Sequence, residues 1–365
     1  MGEDFQDVSH LLTRAIAEEC FPGAVLMVGY RGTLVYEQAV GAAALLPRPR
    51  RMTVETVFDL ASLTKPIVTV TALMVLVDAG LVRLDAPVDR YLHTYRRPGG
   101  EAPTLQQILS HCAGLPAWRP YYQTIDPSLP ASARRRAVYA AVHGEPLIDR
   151  PGSSMRYSDL GFILLGELVE AMSGIPLDEF CRQQIVAPLQ LEGLGFRPSE
   201  RPWPTEVSFA STESCAWRRQ ILEGEVHDEN AWIMGGVAGH AGLFATARQV
   251  WQFAQSLLGG LQGRSWLVST PTVRTFTTRQ GTPDGSTWAL GWDTPTPGMS
   301  SAGRLISSTA IGHLGFTGTS LWIDATKQVI VVLLTNRVHP SRQREGIKTF
   351  RPLIHDAVMH ALKQA

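Results

Sequence analysis

The sequence predicts an α+β protein in which one sheet draws strands from both ends of the chain and a mostly helical lobe lies between them. Three observations carry this. Short apolar runs of strand character, punctuated by turns, lie near both termini, at 24–36 and 311–335. From about Thr104 to about Glu200 the pattern is helical, broken by loops containing Pro and Gly, with no clear strand pair. Helical patterns also open and close the chain. A length of 365 residues with 44% hydrophobic content is ample for one large core or two modest ones. The sheet-bearing lobe is expected at about 1–85 and 240–365, the helical lobe at about 86–239.

In order, the spacing predicts a helix over Val8 to Glu19, then a hairpin of Ala24–Tyr30 and Leu34–Tyr36 turning at Arg31-Gly32. A short strand, Val57–Leu60, runs straight into Ser62 and a helix that ends near Gly80. Leu84–Leu92 reads as a turn leading to a short helix. Further helices are expected at Leu105–His111, Ala131–Val142, Gly161–Ser173 and Leu177–Ile185. After Trp203 the pattern is irregular until Thr246, which caps a helix running to about Leu258. Strands return at Trp288–Trp292, Ile311–Gly315, Thr319–Asp324 and Gln328–Thr335, and the chain closes on a helix from Arg351 to Lys363.

Composition excludes several function classes. Lys plus Arg equals Asp plus Glu at 33 each, so no overall field draws the chain to nucleic acid or an anionic membrane. No run reaches the roughly 18 uninterrupted apolar residues of a membrane span, and the acidic start Met1–Asp4 is unlike a secretion signal. The expectation is a cytoplasmic protein as the sequence stands, periplasmic or secreted if a signal segment was removed. Cys20, Cys112, Cys181 and Cys215 are scattered without a C-x-x-C pair, which suits buried thiols better than a metal site or disulfides. There is no G-x-S-x-G elbow, no G-x-x-x-x-G-K, no G-x-G-x-x-G after a strand and no H-E-x-x-H helix. No cofactor or metal is expected, and oligomeric state cannot be read.

Chemistry concentrates in three places. Ser62-Leu63-Thr64-Lys65 sets a hydroxyl and an amine on one face of a helix, at the mouth of an apolar run. A lysine lowered in pKa by burial can take the serine's proton and make it a nucleophile. Alone, the pair reads first as an N-cap serine and a surface lysine. Tyr157-Ser158-Asp159 presents a phenol and a carboxylate ahead of an apolar helix, and beside an ammonium the phenol could hold a depressed pKa and pass protons. His313-Leu314-Gly315-Phe316 lies on a glycine-bearing strand that can bring backbone N–H groups to an oxyanion. His227 and His240, in glycine-rich loops, are candidate substrate contacts. His111 reads as satisfying a buried hydrogen bond, and Trp288, Trp292 and Trp322 as core or cleft-wall aromatics.

Taken together and in this order, the three elements resemble the serine β-lactamase and penicillin-binding-protein superfamily, in its branch of class C β-lactamases, D-alanyl-D-alanine carboxypeptidases and family VIII esterases. Ser62-Leu63-Thr64-Lys65 matches S-x-x-K, Tyr157-Ser158-Asp159 matches Y-x-N except at its last position, and His313-Leu314-Gly315 falls where K-T-G stands. Ile108-Leu109, His111 and Gly114-Leu115-Pro116 look like the L-L-x-H-x-x-G-L-P segment, and Gly242–Ala247 like G-G-L-x-S-T-A. The resemblance runs from about Phe21 to the end. It implies the β-lactamase/transpeptidase-like fold, a central antiparallel sheet flanked by helices with an all-helical lobe beside it and the site in the cleft between.

Carried over position by position, the resemblance makes Ser62 the acylated nucleophile, Lys65 its proton acceptor or electrostatic aid, and Tyr157 the proton shuttle, with Ser62 and Phe316 N–H groups as the oxyanion hole. The choice of base between Lys65 and Tyr157 stays open. Asp159, His313, Gly315, His240 and His227 would contact substrate. Two departures bear on the substrate. Asp159 replaces an amide with a carboxylate, which suits an ion pair with Lys65 or a substrate bearing a donor. His313 and Leu314 replace the Lys and Thr that bind a substrate carboxylate, which disfavours an efficient β-lactamase. The expectation is a serine hydrolase working through an acyl-enzyme on Ser62, first a carboxylesterase acting on a small-molecule ester. A penicillin-binding D-alanyl-D-alanine carboxypeptidase or weak β-lactamase, taking a D-amino-acid peptide or a β-lactam, comes second. A non-catalytic binding module would have lost the nucleophile or its base, and all three groups are present.

Overall fold

The computed structural model describes residues 5–95, 101–200 and 207–364; the Met1–Asp4 opening and Trp203 lie outside them. Its strands are β1 (Gly23–Tyr30), β2 (Thr33–Ala44), β3 (Arg50–Arg51), β4 (Phe58–Asp59), β5 (Gly195–Phe196), β6 (Ser214–Cys215), β7 (Gln220–Ile221), β8 (Leu243–Ala245), β9 (Ile311–Leu314), β10 (Ser320–Asp324) and β11 (Val329–Thr335). Its helices are α1 (Gln6–Ala17), α2 (Thr71–Asp78), α3 (Leu105–Leu109), α4 (Ala131–Gly144), α5 (Asp159–Ser173), α6 (Leu177–Cys181), α7 (Ala187–Leu189), α8 (Glu229–Ile233), α9 (Ala247–Leu261), α10 (Thr270–Thr277) and α11 (Ile347–Gln364).

Six strands in the order β3-β2-β1-β11-β10-β9 form one antiparallel sheet built from both ends of the chain. Its two central strands are buried on both faces, which is why β1 and β11 are apolar almost throughout instead of alternating. Ala24, Leu26 and Val28 of β1, with Val329, Val331 and Leu333 of β11, meet α1 and α11 on one side. Val25, Met27, Ile330, Val332 and Leu334 join the larger core on the other, which continues through α9 and α2 into Phe162 and Leu165 of α5. The helices start where the sequence supplies acceptors. Thr246 and Gln249 form a reciprocal capping box at α9, Thr104 and Gln107 one at α3, and the Ser158 hydroxyl accepts the Gly161 N–H at α5.

Several elements differ from expectation. Trp288–Trp292 is a buried turn, not a strand, with Gly291 at φ +77° against Val70 and Phe162. Its apolar run reflects burial without pleating, which a short run cannot distinguish. Strand β5 lies in the stretch read as helical and pairs with β8, while α8 and α10 fall in stretches without a helical reading. The run Ala61–Asp78 is long and apolar enough by composition to cross a membrane, but most of it is buried inside the protein. All four cysteines are free thiols, and all but Cys20 are buried.

Helix α11 carries His355, buried, with neither ring nitrogen hydrogen-bonded among the described residues. Burial, then the neighbouring Arg351, pushes it down to about 3 from 6.5. The unfolded chain therefore binds a proton that the folded chain refuses. The neutral ring's contribution to stability is full above about pH 6.5 and is lost as the pH falls toward about 3. Urea unfolding of His355→Leu at pH 7 and pH 5 is expected to show a smaller pH loss than wild type, by on the order of 2 kcal/mol. Equal losses in the two proteins would contradict this.

Candidate active site

The position of Ser62 is set by Asp59, buried at the end of β4. One of its carboxylate oxygens accepts the Ala61 N–H at 2.8 Å and the other accepts the His227 N–H at 2.6 Å. The chain is thereby bent so that Ala61 sits at φ +47°, a conformation that costs a non-glycine residue roughly 1–3 kcal/mol. Ser62 follows in a tight turn, Ala61–Leu63, and the chain then widens into a π-helical stretch, Lys65–Val70, before α2. That local winding faces Lys65 toward the serine while its stem is sealed in the core.

The Lys65 side chain has no exposure. Its Nζ donates to Ser62 Oγ at 2.9 Å and to the His240 carbonyl at 3.2 Å, and pairs ionically with Asp159 Oδ1 at 2.6 Å. Burial alone would lower its pKa, but Asp159 and Tyr157 reverse this and hold it above the ordinary value. The Tyr157 hydroxyl faces both Ser62 and Lys65. Burial and the Asp159 charge outweigh the pull of Lys65, so the phenol titrates above its usual range. The depressed phenol expected from the sequence is not what the geometry gives, because the phenol is buried and the Asp159 charge offsets the ammonium beside it.

The opposite wall is the turn after β9. Thr317 Oγ1 donates to the Asp59 carbonyl at 2.8 Å and Thr319 Oγ1 to the Leu60 carbonyl at 3.0 Å, tying this turn to the strand that enters Ser62. A Cβ at Gly315 would collide with Thr319 Oγ1 and lie 2.7 Å from the Leu60 carbonyl, so this approach requires glycine. Among the described residues, the Phe316 N–H has no hydrogen-bond acceptor. Ser62, Tyr157, Asp159, His313 and Phe316 line one cleft of about 750 Å³.

The remaining expected contacts also reach this cleft, with their rings engaged elsewhere. His240 binds Asp228 through Nε2 at 2.9 Å. His227 binds Glu213 at 3.1 Å and stacks on the Phe316 ring, with centroids 5.6 Å apart. His313 is buried, its Nδ1 against its own Leu314 carbonyl, and burial followed by the Lys65 charge pushes it down to about 3. It is neutral at pH 7. His111 accepts the Ser158 N–H at 3.1 Å and packs on Tyr157, and Trp288 also lines the cleft.

Sequence reasoning missed Asp59 and three arginines. Arg342 pairs with Glu213 and Glu229, while Arg337 and Arg351 hold the Phe316 and Gly315 carbonyls. Asp59 lies in the expected strand Val57–Leu60, but nothing local marks a carboxylate that grips a residue 168 positions away. Among the described residues, no group of three His, Cys, Asp or Glu side chains is placed to hold a metal ion.

Residues 8–354 match the family model described as Beta-lactamase. The chain belongs to the beta-lactamase family. As a member of that family it is a serine hydrolase, with the family's antiparallel sheet and flanking helices. A protein of Escherichia coli strain K12, provisionally named D-alanyl-D-alanine carboxypeptidase, is 32% identical over 356 residues, covering 87% of this chain and 79% of the relative. One of Salmonella typhi under the same provisional name is 33% identical over 351 residues, with the same coverage. Among solved structures, EstCE1, a hydrolase with promiscuous acyltransferase activity, has a TM-score of 0.75 at 23% identity, covering 98% of both chains. The octameric penicillin-binding protein homologue from Pyrococcus abyssi has a TM-score of 0.73 at 20% identity, covering 96% of this chain and 77% of its own. These two share the beta-lactamase fold with this chain.

Proposed function

We propose that this beta-lactamase family hydrolase cleaves carboxylic esters through an acyl-enzyme on Ser62. The observation that carries the reading is His313. Where a cation would hold a substrate carboxylate, the chain has a buried imidazole pushed down to about 3, hence neutral and unable to clamp an anion. An ester needs no such clamp, and its alcohol leaves readily.

In this reading Ser62 Oγ attacks the ester carbonyl, and the Ser62 and Phe316 N–H groups receive the oxyanion. At rest Lys65 is an ammonium and Tyr157 a neutral phenol, so neither has an open proton site, whereas the Asp159 carboxylate has one. The serine proton passes to the Tyr157 oxygen as Tyr157 gives its own to Lys65 and Lys65 yields one to Asp159. The relay runs backward to protonate the departing alkoxide, leaving an ester on Ser62. Water then attacks that ester, its proton enters the same relay, and the acid leaves with Ser62 Oγ–H restored. Lys65 and Tyr157 titrate as a unit.

A second reading, a D-amino-acid peptidase or weak β-lactamase, draws support from the carboxypeptidase name of the relatives and from Arg342 and Lys348 at the cleft, which could receive a carboxylate. Intact mass after mixing with p-nitrophenyl butyrate or benzylpenicillin, with nitrophenol release followed in parallel, separates the two. The ester reading expects nitrophenol turnover and no lasting penicilloyl adduct. A stable penicilloyl adduct on the Ser62 peptide with little ester turnover would replace it with the second.

A further inference from the structure

Arg351 of α11 is buried, and among the described residues no carboxylate pairs with it. Its guanidinium instead donates to two carbonyls, Gly315 at 3.1 Å and Thr319 at 2.8 Å. The Gly315 carbonyl belongs to the same peptide group as the Phe316 N–H. In a trans peptide the C=O and N–H point in opposite directions, so fixing one aims the other. The next carbonyl, that of Phe316, is held by Arg337 Nε at 2.9 Å, and the Arg337 guanidinium lies 4.7 Å from the Phe316 ring centroid. Two cations bonded to backbone thus bracket the turn that carries the Phe316 N–H, which lines the same cleft as Ser62. Both carbonyls held by Arg351 have other donors: Gly318 N–H reaches Gly315 O at 3.1 Å, and Gly315 N–H reaches Thr319 O at 2.7 Å. Satisfying them does not require a buried arginine.

We propose that Arg351 is a positioning residue of the oxyanion hole, holding the Gly315–Phe316 peptide by its carbonyl so that the Phe316 N–H is aimed at, and polarised toward, the oxygen that becomes negative on attack by Ser62. A donor on a peptide carbonyl strengthens the hydrogen bond its N–H gives, and an uncompensated positive charge behind that peptide favours the oxyanion further. Neither effect acts on a neutral bound ester, so the contribution falls on kcat and not on KM. The assignment rests on the acyl-enzyme reading above.

The test compares wild type with Arg351→Met and Arg351→Lys, using p-nitrophenyl butyrate for kcat and KM and butylboronic acid as the tetrahedral mimic. Arg351→Met is expected to lower kcat about tenfold to a hundredfold, to leave KM within about twofold, and to weaken the boronate by the same factor as kcat/KM. Arg351→Lys, which keeps the charge but loses the planar fork, is expected to fall between. Unchanged kcat, or a lower kcat with boronate affinity intact, would overturn the role. So would failure of both variants to fold, which would make Arg351 structural. Ester turnover that survives in Ser62→Ala would remove the acyl-enzyme reading itself, an outcome distinct from any seen with Arg351.

Discussion

Ser62→Ala is expected to lower p-nitrophenyl butyrate turnover by on the order of 10⁶-fold, Lys65→Met by about 10⁴-fold, and the double variant by no more than Ser62→Ala alone. The reason is geometric. Lys65 Nζ lies 2.9 Å from Ser62 Oγ, with its stem in the core and its charge set against Asp159. Without the hydroxyl there is no alkoxide to stabilise and no proton to relay, so removing the lysine as well costs nothing more. Met fits the stem's volume, and Asp159 at 19% side-chain exposure still reaches water, so the variant is expected to fold. Circular dichroism and kcat on the four proteins decide the matter. Effects that multiply in the double variant would mean that the two residues act independently and would sink the proposed unit. Asp159→Asn adds a sharper arm. If the carboxylate closes the relay, turnover drops about a hundredfold. If it merely holds Lys65 charged, the freed amine becomes a base and turnover rises at alkaline pH.

What the sequence made legible here was local. A hydroxyl and an amine three residues apart on one helical face, and a phenol and a carboxylate two apart before a capped helix, keep their relation whatever the rest of the chain does. Strand identity in β1, β10 and β11 was legible for the same reason, since β-rich apolar runs beside turn residues have few other folds available. Trp288–Trp292 was not, because a buried turn and a buried strand share one composition. Arg351 and Asp59 were opaque for a different reason. Each acts on a backbone group far away in sequence, Gly315 and His227 respectively, and no side-chain pattern records which carbonyl or N–H a distant residue will meet. The Tyr157 phenol shows a further limit. Proximity to a lysine suggested a lowered pKa, whereas the folded chain buries the phenol and sets the Asp159 charge beside it, and together these raise it.

Phe162→Ala is expected to cost about 3–5 kcal/mol of stability, lowering Tm by roughly 4–7 °C, and to reduce kcat about tenfold as well. Phe162 lies in the first turns of α5, fully buried, with its ring centroid 5.7 Å from Lys65 Nζ and 5.2 Å from the His111 ring. It touches three parts of the site at once. His111 packs on Tyr157, Lys65 pairs with Asp159 at the head of α5, and a Cβ on Gly291 would lie 3.3 Å from the Phe162 ring. Truncation leaves a void where the core meets an ammonium, and water entering it would weaken the Lys65–Asp159 pair by raising the local dielectric. The stability loss follows from the void alone, whereas the kcat loss follows only if Phe162 also holds Lys65 in register with Ser62. Phe162→Leu, which refills most of the volume without the ring, separates the two: Tm recovers most of its loss, while kcat stays low because the aromatic face under the ammonium is gone. Thermal scans and kcat on the two variants read these terms independently. A Tm drop with wild-type kcat in both would confine Phe162 to the core.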